Sequence, residues 1–142
     1  INRYFETYPG VKRFLDDLVA QGKEQGYVET MFGRRRPIPE LKSANFMQRS
    51  FGERVAMNSP IQGTAADIIK IAMIRMQREL AKRHLQAKML LQIHDELVFE
   101  APKEEIPVLQ KLVPQVMDSA VKLDVPLKVD SKFGDTWYDL KK

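Results

Sequence analysis

The stretch Met89-Leu90-Leu91-Gln92-Ile93-His94-Asp95-Glu96-Leu97-Val98-Phe99-Glu100 restricts the fold of this chain more than any other. Two apolar runs, each about the length of a strand and too short for a helix, flank three consecutive polar, ionisable residues. The pattern predicts a strand, a tight turn and a strand, so an antiparallel hairpin stands at the centre of the fold. Its turn carries an imidazole and two carboxylates, where Asn-Gly or Asp-Gly would tolerate the required backbone angles more readily. Adjacent acids on a strand tip suit a hard cation such as Mg²⁺, which takes one or two carboxylates and otherwise water and phosphate oxygen. A plain solvent-facing polar turn is the other reading of the same residues.

A chain of 142 residues fits one ordinary domain and can bury a core. Without cysteine it has no disulfide framework and no thiolate metal site, which is compatible with a reducing cytoplasm. No apolar run approaches the roughly 18 residues of a membrane-spanning helix and no signal peptide opens the chain, so the expectation is a soluble cytoplasmic protein with no membrane partner. The balance of 23 basic against 19 acidic residues, net +4, permits an anionic partner without requiring one. Ile1-Asn2-Arg3-Tyr4-Phe5 reads as though already inside a helix, and the expectation is a piece of a longer protein.

Along the chain, Val11, Phe14, Leu15, Leu18 and Val19 recur at helical spacing after Tyr8-Pro9-Gly10, and Gly26 is a natural stop. Tyr27 to Phe32 followed by Gly33 to Pro39 reads as a second, shorter hairpin, with Arg34, Arg35 and Arg36 at or beside its turn. Three guanidinium groups there can form a compact phosphate clamp, or simply a solvated charge run. A helix is predicted from about Phe46. At Ser59-Pro60-Ile61-Gln62 two readings compete. In one, Ser59 caps a new helix, Pro60 takes its first position and Gln62 closes a capping box; local chemistry favours this slightly. In the other the helix continues, and Arg54, Asn58 and Gln62, each four apart, form a polar ladder able to meet base edges in a minor groove.

Beyond Gly63, Ala65, Ile68, Ile69, Ala72, Met73, Met76 and Leu80 make a long apolar stripe that ends near Arg78 to Arg83, with His84 at the surface by the helix end. After the central hairpin, Ile106, Leu109, Leu112, Val113, Val116, Met117 and Ala120 predict another amphipathic helix, which Pro114 should kink. Leu127 to Phe133 alternates like a half-exposed strand. The sum is an α+β fold, antiparallel strands backed by long helices.

These motifs, in this order, resemble the C-terminal third of the family A DNA polymerases of bacteria. The likeness rests on Arg54 through Asn58-Ser59-Pro60-Ile61-Gln62-Gly63-Thr64-Ala65-Ala66-Asp67 and on Gln92-Ile93-His94-Asp95-Glu96-Leu97-Val98. Tyr27-Val28-Glu29-Thr30, Gly33-Arg34-Arg35-Arg36, Glu100-Ala101-Pro102-Lys103 and Val125-Pro126-Leu127 through Trp137 extend it over nearly the whole chain. The resemblance implies a sheet of the palm type within a fragment of a larger polymerase domain. Residues 1–45 would form a helix and basic hairpin at the base of the fingers, and 46–142 the C-terminal part of the palm. Asp95 would be a palm carboxylate holding Mg²⁺, Glu96 a supporting acid, and His94 a group at the primer terminus. Arg54, Asn58 and Gln62 would contact the minor groove of primer–template DNA, while Arg34, Arg35 and Arg36 would lie toward backbone phosphates. The chemistry implied is template-directed transfer of a nucleotide from dNTP to a primer 3′-hydroxyl in replication or repair.

The chain also departs from that pattern. The family's second catalytic Asp, followed by Tyr-Ser, has no counterpart here, nor has the fingers helix whose Arg, Lys and Tyr grip the triphosphate. Asp67, within an apolar helix, and Asp130, on the expected last strand, are poor substitutes. The expectation is therefore an inactive isolated chain that works with the N-terminal remainder of a polymerase. A nucleic-acid-binding module without catalysis and a purely structural domain are the alternatives.

Overall fold

The structure, a computed structural model, describes residues 2–93, 95–125 and 128–140. It divides into two compact units, residues 1–65 and 66–142. The boundary expected at 45/46 coincides with the start of a long helix, and the units divide further along, inside that helix.

The first unit opens with helices α1 (Asn2–Thr7) and α2 (Pro9–Gln25). Pro9 stands where a missing N–H costs nothing, and Gly26 closes α2 in a left-handed conformation (φ +86°), its N–H donating to the Gly22 carbonyl at 2.9 Å. Strands β1 (Tyr27–Glu29) and β2 (Arg35–Pro37) follow as an antiparallel pair with Val28 opposite Arg36. The Gly33 N–H donates to the Thr30 carbonyl at 3.0 Å and Gly33 has φ +85°, the geometry of a three-residue hairpin loop that ends in a left-handed glycine.

A 3₁₀ turn, Pro39–Lys42, leads to helix α3 (Phe46–Lys82), 37 residues long. Asn45 Oδ1 caps it by accepting from the Met47 N–H at 2.8 Å. Val28, Ile38, Leu41 and Ala56 form the buried core of this unit, with Val19 and Val55 against it. Two glycines let the 3₁₀ turn settle: a Cβ on Gly22 would lie 2.7 Å from Leu41 Cδ1, and one on Gly52 would lie 3.0 Å from the Leu41 nitrogen.

The cap reading of Ser59-Pro60-Ile61-Gln62 is not what forms. α3 runs on through Pro60, and the capping box gives way to continuous helix. Proline there removes the bond that the Ala56 carbonyl would have accepted. Gly52, Ala56 and Pro60 are nonetheless all buried along one side of α3, so packing holds a helix that local chemistry disfavours.

In the second unit the later part of α3 buries Ala72, Met76 and Leu80, with Ile68, Ile69 and Met73 half-buried beside them. The helix ends at an exposed His84 with φ +54°, where the Leu85 N–H reaches back to the Leu80 carbonyl at 3.0 Å and the His84 N–H to that of Ala81 at 3.2 Å. Strands β3 (Lys88–Ile93) and β4 (Glu96–Glu100) form the expected antiparallel hairpin. Its register passes from Met89 opposite Phe99 to Leu91 opposite Val98, leaving Leu90 as an extra residue in a bulge.

Helix α4 (Ile106–Asp118) continues through Pro114 and buries Leu109, Leu112 and Val116. These join Met76, Leu80 and Ala87 in one core, with Leu85, Phe99, Ala101 and Val113 packed on it. Glu105 clamps the start of β3, accepting from the Gln86 N–H at 3.0 Å and the Ala87 N–H at 3.3 Å. A short helix α5 (Trp137–Leu140) comes last.

The strand expected over Leu127 to Phe133 is a correction. Pro126 and Leu127 lie outside the described residues, and Lys128 to Phe133 form no strand. Alternation makes a strand only where the segment pairs with a neighbour, and among the described residues β3 and β4 pair only with each other. Asp130 is accordingly on irregular backbone. Among the described residues no helix is long and apolar enough to cross a membrane.

Met76 is fully buried at the centre of the second core. Met76→Ala is expected to cost about 2–5 kcal/mol of unfolding free energy, read as a lower midpoint in urea with an unchanged slope.

Candidate nucleic-acid interface

Continuity of α3 decides the geometry of the polar ladder. At roughly 100° per residue, positions four apart drift slowly round a helix. Arg54, Asn58 and Gln62 therefore share one face, and all three are exposed, with Ile61 and Ala65 beside them. Gly52, Ala56, Pro60 and Gly63 lie on the other side, about half a turn away. That side carries the 3₁₀ turn at Gly52 and the hairpin loop at Gly63. The fold thus covers one face of α3 and leaves the polar one open, lined by a guanidinium and two amides that can donate to acceptors in sequence-independent positions.

The three arginines of the basic hairpin do not form one clamp. Arg35 faces the side of the hairpin that carries Glu29 and Tyr27. Its Nε donates to Glu29 Oε1 at 3.1 Å and its guanidinium lies 4.5 Å from the Tyr27 ring centre. Arg36 is cross-strand partner to the buried Val28, on the opposite face, yet is itself exposed. Arg34, just outside β2, sends Nη2 to the Gly63 carbonyl at 3.3 Å. Strand alternation scatters what sequence adjacency clusters. The anchors on α3, Gly63 and Thr64, carry no signal in the sequence that ties them to a loop some thirty residues earlier.

In the second unit the β3–β4 hairpin is rooted in the core through Ala87 and Phe99, while Leu90, Leu91, Gln92, Asp95 and Glu96 toward its tip are exposed. Beyond the bulge at Leu90, Ile93 stands opposite Glu96 as the last pair of the ladder. His94 lies outside the described residues, and its expected place at a primer terminus has no geometry to set beside it. Asp95 occupies the turn with its side chain open to solvent; Glu96 begins β4.

A hard cation is compatible with these donors in type, since both are carboxylates at an open tip. Among the described residues no group of three or more His, Cys, Asp or Glu converges to hold a metal. One or two protein carboxylates is nonetheless the usual complement for Mg²⁺ that also takes water and phosphate.

Comparison with known proteins defines the class. The model of DNA polymerase family A matches residues 1–139, so the chain belongs to DNA polymerase family A. Its relatives include DNA polymerase I of Bacillus subtilis (strain 168), 60% identical over 141 residues that are 99% of this chain and 16% of that protein. DNA polymerase I of Bacillus caldotenax is 58% identical with the same coverage. Among solved structures, the POL domain of Pol1 from M. smegmatis, in complex with DNA primer-template and dNTP, superposes with a TM-score of 0.84. It shares 47% identity and the match covers 88% of this chain and 22% of that one. The chain spans 16% of the length of these bacterial relatives, and its α+β architecture is that of a polymerase-domain fragment.

An exposed acid in a turn contributes little to folding. Asp95→Asn should leave unfolding free energy within about 0.5 kcal/mol. A thermal melt lowered by many degrees would mark Asp95 as a structural group instead.

Proposed function

We propose that this chain is part of a DNA-directed DNA polymerase that adds nucleotides from dNTP to a primer 3′-hydroxyl, with the chain supplying one acidic turn and a duplex-reading helix face. The observation that carries this reading is the open ladder of Arg54, Asn58 and Gln62 on an unbroken α3, in a chain of this family. The ladder lies in the minor groove of the primer–template duplex, where acceptors on every base pair look alike, and so checks shape without reading sequence. Among Arg34, Arg35 and Arg36, one reaches toward backbone phosphates. Arg36 is the best placed of them, because the other two guanidinium groups are engaged within the protein.

Asp95 holds Mg²⁺ with Glu96 in support, the remaining protein donors coming from outside this chain, and His94 positions the primer end. The bound ion supplies Lewis acidity, making the hydroxyl a better nucleophile and neutralising phosphate charge. What this chain does itself is grip the duplex and present a carboxylate on a hairpin rooted in the second core. The contacts to dNTP lie mostly outside it.

Duplex binding without catalysis is the competing reading, since the open ladder of Arg54, Asn58 and Gln62 serves it equally. In the full-length protein, Asp95→Ala is expected to lower primer extension on the order of 10³-fold, with primer–template affinity nearly unchanged. Undiminished extension would leave only the binding module. Asn58→Ala and Gln62→Ala should each weaken primer–template binding about threefold to tenfold, equally for all duplex sequences. Arg36→Ala should instead reduce the log–log salt slope of binding by about one.

A further inference from the structure

Helix α3 is weakest by intrinsic preference where the ladder ends. Proline and glycine are the residue types a helix interior tolerates least, and Pro60 and Gly63 both fall within one turn of Gln62. The same turn is where the basic hairpin is fastened. Arg34 Nη2 donates to the Gly63 carbonyl at 3.3 Å, and the Met31 N–H donates to Thr64 Oγ1 at 2.9 Å. The loop making these contacts is braced from within, since Thr30 Oγ1 accepts from the N–H groups of Phe32 and Arg34 at 3.3 and 3.2 Å. Closeness matters, because a Cβ on Gly63 would lie 2.6 Å from Thr30 Cγ2. The glycine that weakens the helix is thus the one that admits the loop.

We propose that Arg34 is a positioning residue: with Thr64 and Gly63 it latches the hairpin loop onto α3 and sets the rotation of the turn that presents Gln62. Its guanidinium works on the protein backbone instead of on DNA phosphate. This rests on the minor-groove reading of the ladder given above. A helix turn lacking one backbone bond and containing glycine has more freedom to twist than its neighbours. Two tethers on its covered side remove that freedom, and Gln62, on the open side, keeps one orientation toward the groove.

The test is a double-mutant cycle on primer–template affinity in the full-length protein, followed by fluorescence anisotropy across a salt series. Arg34→Ala is expected to weaken binding about threefold to tenfold with the salt slope unchanged, since no phosphate contact is lost. In a Gln62→Ala background the same change should cost less than about twofold, because the group it positions is gone. Thr64→Val should repeat that pattern and Thr64→Ser should restore wild-type binding; where Arg34→Ala fails to fold, this pair carries the same test.

A salt slope reduced by about one unit in Arg34→Ala would make Arg34 a phosphate ligand and overturn the proposal. Strict additivity with Gln62→Ala would overturn it too, leaving the minor-groove reading intact. An inert Gln62→Ala, by contrast, removes that reading itself and the latch's purpose with it.

Discussion

Everything the first unit offers to a partner depends on α3 staying helical through Pro60. A proline inside a helix gives up a hydrogen bond and crowds the preceding turn, at roughly 3 kcal/mol. The segment Ser59-Pro60-Ile61-Gln62 also has good residues for starting a new helix. Tertiary packing decides between them. Small residues at Gly52, Ala56 and Gly63 let the 3₁₀ turn and the hairpin loop close on one side of α3, where Pro60 is also buried. Burial on that side is compatible only with a helix that does not restart, and the exposed ladder on the opposite side is its geometric consequence.

What could be read from the sequence follows from how local each signal is. Gly26 as a helix stop, the start of α3 at Phe46, the exposed His84 at its end and the two hairpins are set by neighbouring residues, and all four stand as expected. The route through Pro60 and the missing strand at Lys128 to Phe133 depend on partners distant in the chain; local chemistry leaned toward the cap at the first and misread the second. The bulge at Leu90 had no signal either, since Leu is unremarkable in a strand and only the pairing with β4 reveals an extra residue. Thr64 escaped notice for the same reason: its hydroxyl matters through the Met31 N–H, far away in sequence.

Charge clusters show the same limit in another form. Arg34-Arg35-Arg36 reads as one basic site, but a strand sends successive side chains to opposite faces, and the loop before it sends a third elsewhere. One guanidinium stacks on Tyr27 and pairs with Glu29, one reaches the Gly63 carbonyl, and one stands beside the core face. The family resemblance singled out all three, and the geometry gives each different surroundings. Three equal phosphate ligands become one outward charge and two internal ties.

The acidic turn follows a different logic from the ladder. Two carboxylates side by side repel each other, and burying them unpaired would cost several kcal/mol. At an exposed tip solvent screens that repulsion to a fraction of this, so the hairpin can carry them without loss of stability. The hairpin is anchored at its other end, where Ala87 and Phe99 join the core and Glu105 holds Gln86 and Ala87 just ahead of β3. Rooting at the base and exposure at the tip together let the chain carry two acids at the far end of a hairpin whose other end is packed.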